Sequence, residues 1–153
     1  STSPAGLSTI TDRTVSERGV IVASFGQKPV RPSKADERRA YADATARDNN
    51  RCVKCDAFGI ERDHRKNRSQ GGWTTVANLQ GLCPPCHVWK TQNPTAALLE
   101  GFAVPSWARP ELWPGWREGV GWVVYFDAPN EAGEWWRPIT ETVADMLMDG
   151  GSG

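Results

Sequence analysis

Four cysteines and two histidines hold most of the metal-binding capacity of this 153-residue chain, and they sit close together. Cys52, Cys55, His64, Cys83, Cys86 and His87 fall within one stretch, residues 52–87. Cys52-Val53-Lys54-Cys55 and Cys83-Pro84-Pro85-Cys86 are two CxxC units. A two-residue spacer lets both thiolates of a unit turn toward one ion, and two such knuckles complete a tetrahedral four-cysteine zinc site. Two disulfides or a redox CxxC are the alternatives. The polar stretch over residues 1–10 lacks a signal-peptide core, which disfavours disulfides. A redox CxxC usually stands beside a βαβ pattern, and none is visible. A segment this small buries too little apolar surface to fold alone, so the metal would staple it. A closed site of four thiolates is structural, and it leaves His64 and His87 for another task.

The residues between the histidines give that task a shape. They read Asp63-His64, then Arg68-Ser69-Gln70-Gly71-Gly72, then Asn78-Leu79-Gln80-Gly81-Leu82, then Cys83-x-x-Cys86-His87-x-x-Lys90-Thr91. This order resembles the HNH endonuclease family, in its zinc-stabilised, bacteriophage-type form, over roughly residues 50–93. The motif residues correspond to His64, Asn78 and His87. The resemblance implies an α+β, ββα-metal (His-Me finger) nuclease core: a hairpin bearing Asp63-His64, a loop through Gly71-Gly72 to Asn78, and a short helix starting near Cys86.

Hydrolysis of a phosphodiester needs a nucleophile, charge stabilisation and help for the leaving group. His64 is the candidate general base, because neutral imidazole can take a proton from water near pH 7. Asp63 is its neighbour and cannot share its strand face. Its carboxylate would instead turn, with His87, to a catalytic divalent ion. By resemblance, the Asn78 amide fixes the histidine-bearing strand, and the products carry 5′-phosphate and 3′-hydroxyl ends. Some nuclease toxins of the family add a metal-binding His one helical turn after the last motif His; here that position is Thr91. Two protein ligands make an open, oxygen-rich site suited to Mg²⁺ or Mn²⁺. A competing arrangement has His87 replace one cysteine as a ligand of the zinc.

Several elements must position these groups. Ser33 reads as an N-cap, with Asp36 and Glu37 in the first turn of a helix over 34–48 that ends at Asn49-Asn50. Arg38, Arg39 and Arg47 on that helix read as a solvated face, with phosphate contact as the alternative. Residues 94–99 read as helical. Six of the eight tryptophans lie in the last third, at 107, 113, 116, 122, 135 and 136. Residues 122–126 and 134–137 read as a hairpin around a polar turn, and 141–148 as a short helix. The domain plan is a flexible arm over 1–32 with a strand at 19–25, a nuclease domain over 33–99, a Trp-rich extension over 100–149, and a tail over 150–153. The tryptophans are expected to pack on the nuclease core or form a protein interface.

Charge points to the partner. Composition is that of a soluble globular protein, with 39% hydrophobic and 24% charged residues and zero net charge. That zero conceals an asymmetry. Residues 1–90 carry 15 Lys/Arg against 9 Asp/Glu, a net of +6; residues 91–153 carry 3 against 9, a net of −6. DNA is thus expected against the first part, with Arg65, Lys66, Arg68 and Lys90 on its phosphates. No apolar run is long enough to span a membrane. The resemblance admits a place beside a terminase or other phage packaging proteins, in the cytoplasm of a bacterial host. The reading from a different class is a non-catalytic zinc-ribbon module that binds DNA or protein.

Overall fold

The computed structural model describes residues 30–152, so the strand expected at 19–25 lies outside the described residues. From Pro32 onward the chain forms one compact α+β unit. Helix α1 (Lys34–Asp48) starts as its sequence dictates. Ser33 Oγ accepts from the Asp36 backbone N–H, and Asp36 Oδ2 accepts from the Ser33 N–H, each at 3.1 Å. Such a capping box satisfies two otherwise orphaned donors and is worth about 1 kcal/mol. The helix stops where Asn49 turns left-handed, at φ 55°. Its Ala40 and Ala44 pack against Val76 and Leu79.

The centre of the fold is a hairpin of two short strands, β1 (Glu61–His64) and β2 (Leu79–Leu82). They pair antiparallel, with Glu61 opposite Leu82, Asp63 opposite Gln80 and His64 opposite Leu79. The connecting loop makes 3-10 turns at Arg68–Gln70 and Val76–Asn78. The two glycines of the loop have separate duties. Gly71 sits at φ 85°, and a Cβ on Gly72 would lie 1.8 Å from the Lys66 carbonyl oxygen. Helix α2 (Pro84–Gln92) follows β2 at once, with Cys83 as N-cap and prolines filling its first turn. That placement suits proline, whose missing N–H would be unpaired there anyway. Helix α3 (Pro94–Glu100) follows directly.

Past Gly101 the chain builds a second antiparallel sheet from β3 (Gly115–Arg117), β4 (Gly121–Tyr125) and β5 (Trp136–Pro138). The β4–β5 hairpin was legible in the sequence; β3, only three residues long, was not. Helix α4 (Glu141–Ser152) runs through Gly150 into the segment expected to be a tail. The tryptophans are largely structural. Trp116 packs on the cluster of Cys52, Val53, Leu82, Cys83, Ala97 and Phe102, and Trp135 packs on the α1 cluster. Trp113 is buried with Val104 and Ala108, whereas Trp107 is 54% exposed. No helix among the described residues is long and apolar enough to cross a membrane.

Arg47 corrects an expectation: it is neither a solvated nor a phosphate-facing residue. It is buried and holds Asp48 through two hydrogen bonds of 2.9 Å. It also donates to the Val76 and Leu79 carbonyls at 3.0 and 2.7 Å. Asp48 in turn accepts from the Gly81 N–H at 3.0 Å and from Arg117 at 2.6 Å. The network joins α1, β2 and β3. Burial opposes the charge on Asp48, but the Arg47 and Arg117 guanidiniums outweigh it and hold the carboxyl below its ordinary range.

Asp48→Asn should therefore cost about 3–5 kcal/mol, because it leaves the buried Arg47 guanidinium and the half-buried Arg117 guanidinium without their counter-charge. A depressed folded pKa stabilises above the unfolded value of about 4 and ceases to do so as pH falls through the folded value. Denaturant titrations of both proteins should show a full gap at pH 7 that closes on acidification below about pH 4. A gap under about 1 kcal/mol at pH 7 would remove Asp48 from this role.

Candidate functional site

The four cysteine sulfurs come together, all within 4.8 Å of one another. Cys55 and Cys83 Sγ are 3.5 Å apart, and no pair is joined as a disulfide. The donor set fits a metal. Burial pushes the Cys86 thiol well up, and the three neighbouring sulfurs push it further. Cys52 is lowered, backbone N–H groups of Cys83, Cys55 and Lys54 outweighing the cost of its burial. Four such groups cannot all ionise side by side without a cation among them, and a divalent ion bound by thiolates resolves the conflict. The four cysteines could thus hold a metal ion. His87 is not among them, since its ring nitrogens face Glu61 and Asp63.

Neighbouring residues of β1 point to opposite faces, and this separates the remaining groups. Asp63 is buried under α2. Its Oδ2 accepts from Gln80 Nε2 at 2.8 Å and from Lys90 Nζ at 2.6 Å. Its Oδ1 lies 3.5 Å from His87 Nε2. One carboxylate oxygen is therefore saturated, and the other shares space with an imidazole nitrogen. On its far side, His87 Nδ1 meets Glu61 Oε1 at 2.7 Å. An oxygen of Asp63 and Nε2 of His87 form a hard, open pair that fits a divalent ion with water completing its shell.

His64 lies on the other face, half-buried, with its ring edge-on to Tyr41 at 6.2 Å between centroids. Its Nε2 is 2.8 Å from the hydroxyl of buried Thr74. Burial lowers the His64 pKa; Arg68 and Lys90 lower it further, against the opposing pull of Asp63 and Glu37. The ring is thus held neutral at pH 7, the state that can accept a proton. Asn78 is fully buried and bridges the loop. Its Oδ1 accepts from the Lys66 N–H at 2.7 Å, and its Nδ2 donates to the Lys66 and Trp73 carbonyls at 3.1 and 2.9 Å. These three bonds clamp the chain just after His64.

The basic residues expected on phosphates divide sharply. Arg65 is 1% exposed and donates to the carbonyls of Ala77, Pro110 and Trp113 at 2.7–2.9 Å, so it cannot reach a nucleic acid. Lys90 is buried too, with its ammonium on Asp63 Oδ2 and on the His64 carbonyl at 2.8 Å. Lys66 is half-buried and donates to the Ala108 carbonyl at 3.0 Å. Arg68 alone of the four is exposed. Sequence reasoning also missed Glu61, Gln80 and Thr74. Glu61 had a signal, since it stands two residues before Asp63 and so on the same strand face. Gln80 had none before the hairpin register set it opposite Asp63. Thr74 had none.

Residues 51–93 match the HNH endonuclease family. No curated protein and no solved structure matches the chain. The matched span contains β1, β2, α2 and all four cysteines, and it ends one residue past α2. The matched segment thus carries every group described above except Tyr41 and Glu37 of α1 and the acceptors of Arg65 and Lys66 beyond residue 100.

The sulfur cluster and the Asp63–His87 pair should be separable by mutation. Cys83→Ser is expected to release the tightly held metal and unfold the hairpin–helix unit. His87→Ala should keep both metal content and melting temperature. Elemental analysis after dialysis, with thermal melts beside it, reads both. Metal loss in His87→Ala would place that histidine in the sulfur site and overturn the assignment.

Proposed function

We propose that this protein is a metal-dependent DNA endonuclease or nickase that uses His64 as general base, with a structural zinc ion on Cys52, Cys55, Cys83 and Cys86. The observation that carries the reading is the arrangement at the end of β1. A neutral histidine and an aspartate are consecutive there, and the aspartate's free oxygen meets a second histidine from α2. A divalent ion such as Mg²⁺ or Mn²⁺, held by Asp63 and His87, would supply neutralisation of charge at the scissile phosphate and at the leaving 3′ oxygen.

The chain's own residues do the rest. His64 takes a proton from the attacking water through its neutral imidazole. Thr74 orients that ring by its hydroxyl, and Tyr41 restrains it from the side. Asn78 keeps the backbone after His64 from shifting, so the base stays aligned. Lys90 bonds both Asp63 and the His64 carbonyl, and this fixes the spacing between the proton acceptor and the ion-holding carboxylate. Phosphate contact falls to the exposed Arg68, whose charge already reaches His64, and to Arg62. The Arg62 guanidinium lies over the Tyr41 ring at 5.0 Å on the His64 face of β1. The bacteriophage-type resemblance carries the biological side of the proposal, work on genomic DNA beside a terminase. One such site cuts one strand, so a nicked circle should precede a linear product on supercoiled plasmid.

His64→Ala should keep fold and zinc yet lose about 10²–10⁴-fold in cleavage. Mild EDTA treatment should stop cleavage by the parent without unfolding it, and Mg²⁺ or Mn²⁺ should restore it. Cleavage within a few-fold of the parent in His64→Ala, or full activity in EDTA, would sink the mechanism.

The revised phosphate contacts make a separate test in binding, with the His64→Ala background holding the DNA intact. Arg68→Ala should weaken affinity and reduce the salt slope by about one. Arg65→Ala should instead lower stability, which denaturant titration measures directly. An unchanged salt slope for Arg68→Ala would exclude it from the interface.

A further inference from the structure

We propose that Glu61 is a positioning residue: it fixes the tautomer and orientation of His87, so that Nε2 presents its lone pair toward Asp63. This inference rests on the reading of Asp63 and His87 as the pair that holds the catalytic ion. Glu61 Oε1 lies 2.7 Å from His87 Nδ1, and on the far side of the ring Nε2 lies 3.5 Å from Asp63 Oδ1. Neither carboxylate can donate, and the 2.7 Å contact to Glu61 is a full hydrogen bond while the 3.5 Å separation from Asp63 is not, so the proton of a neutral His87 belongs on Nδ1. Nε2 is then left as the acceptor nitrogen, and it faces the one Asp63 oxygen that Lys90 and Gln80 do not occupy. Carboxylate–histidine–metal relays have this form, in which the outer carboxylate selects the tautomer and raises ligand basicity.

A purely structural role does not account for the contact. Glu61 and His87 expose about half of their side chains, 53% and 41%, and an exposed pair of this kind adds about 0–1 kcal/mol. What the contact sets is direction. His87 lies in the first turns of α2, immediately after Cys86, so the sulfur cluster fixes its Cα while leaving χ1 and χ2 to be chosen. Glu61 and Asp63 share one face of β1 at a spacing of two. The strand therefore grips the imidazole from both sides, with one carboxylate for each nitrogen. With Thr91 at the place of a further histidine ligand, the pair depends more heavily on the orientation of its single imidazole.

The test uses the full chain with its tightly bound metal and no added divalent ion. The two histidines make the imidazole ¹⁵N spectrum easy to assign, and a His64→Ala sample identifies the His87 signals. At a pH where both rings are neutral, His87 should be mainly Nδ1–H in the parent. In Glu61→Ala it should move toward the Nε2–H form that an unconstrained histidine prefers. Glu61→Gln, whose amide oxygen can still accept from Nδ1, should keep the parent tautomer. Mn²⁺ titration followed by electron paramagnetic resonance supplies the second readout. Affinity should fall about 10–100-fold in Glu61→Ala and stay within a few-fold in Glu61→Gln. An unchanged His87 tautomer in Glu61→Ala overturns the proposal. So does an equal loss of Mn²⁺ affinity in both variants, which would make Glu61 a direct ligand. The expected tautomer shift in a parent that binds no Mn²⁺ would uphold the Glu61–His87 relay and remove the ion-binding reading instead.

Discussion

A two-stranded ribbon of four residues a side cannot hold a fixed side-chain geometry by itself, since isolated hairpins are marginal in water even when longer. What fixes this one is a pair of buried guanidiniums. Arg47 reaches from α1 to the Val76 and Leu79 carbonyls, and Arg65 reaches from the end of β1 to the Ala77 carbonyl. Between them they anchor the backbone entering β2. Both guanidiniums also stack on one ring, that of buried Tyr125, at 4.5 and 4.8 Å from its centroid. Removing a charged group from water costs several kcal/mol. Arg47 recovers that through Asp48 and two carbonyls, while Arg65 has no hydrogen-bonded carboxylate among the described residues and relies on three carbonyls and the aromatic face. His64 is adjacent to Arg65, and every ångström of its placement inherits that anchorage.

The second constraint acts on α2. The sulfur cluster ties the turn carrying Cys52 and Cys55 to the start of the helix, whose first turn Cys83 and Cys86 bracket. His87 comes directly after Cys86, and Lys90 follows one turn later. The histidine that faces Asp63 and the lysine that pins it are thus carried on a helix whose start is set by the sulfurs. Soft and hard donors are kept apart by direction and not by distance along the chain. The cysteines face the Phe102 side of the helix, and His87 faces the strand.

The sequence disclosed the types and order of the chemical groups more fully than their surroundings. The two CxxC units, the Asp63-His64 pair, Asn78 and His87 were all legible, because metal ligation and loop clamping require particular residues at particular spacings. Helix α1 was legible to the residue, since Ser33, Asp36 and Asn49 encode its ends locally. The basic residues were misread for a physical reason. An arginine bound for solvent and one bound for three buried carbonyls look alike until the chain is folded, because the acceptors of Arg65 lie 12 to 48 residues away. Lys90 is a similar case, its partner being 27 residues distant. Strand β3 escaped notice because three residues carry no period, and its pairing with β4 decides its state.

Those distant acceptors also bear on where the folded unit around the HNH-matching segment ends. A boundary at residue 99 would follow the change in composition, and the HNH match itself stops at residue 93. The contacts do not respect that line. Arg65 needs Pro110 and Trp113, Lys66 needs Ala108, Gln80 donates to the Phe102 carbonyl at 2.6 Å, and Arg117 reaches back to Asp48. Most of what this segment gives the site is backbone oxygen, offered to cations and amides that the first half has buried. A stretch with a net charge of −6 thus supports the basic first part through carbonyl dipoles. Its carbonyls and its Tyr125 ring stabilise the cations buried beside them, and its Asp127 carboxylate accepts from the Ala77 N–H at 2.9 Å.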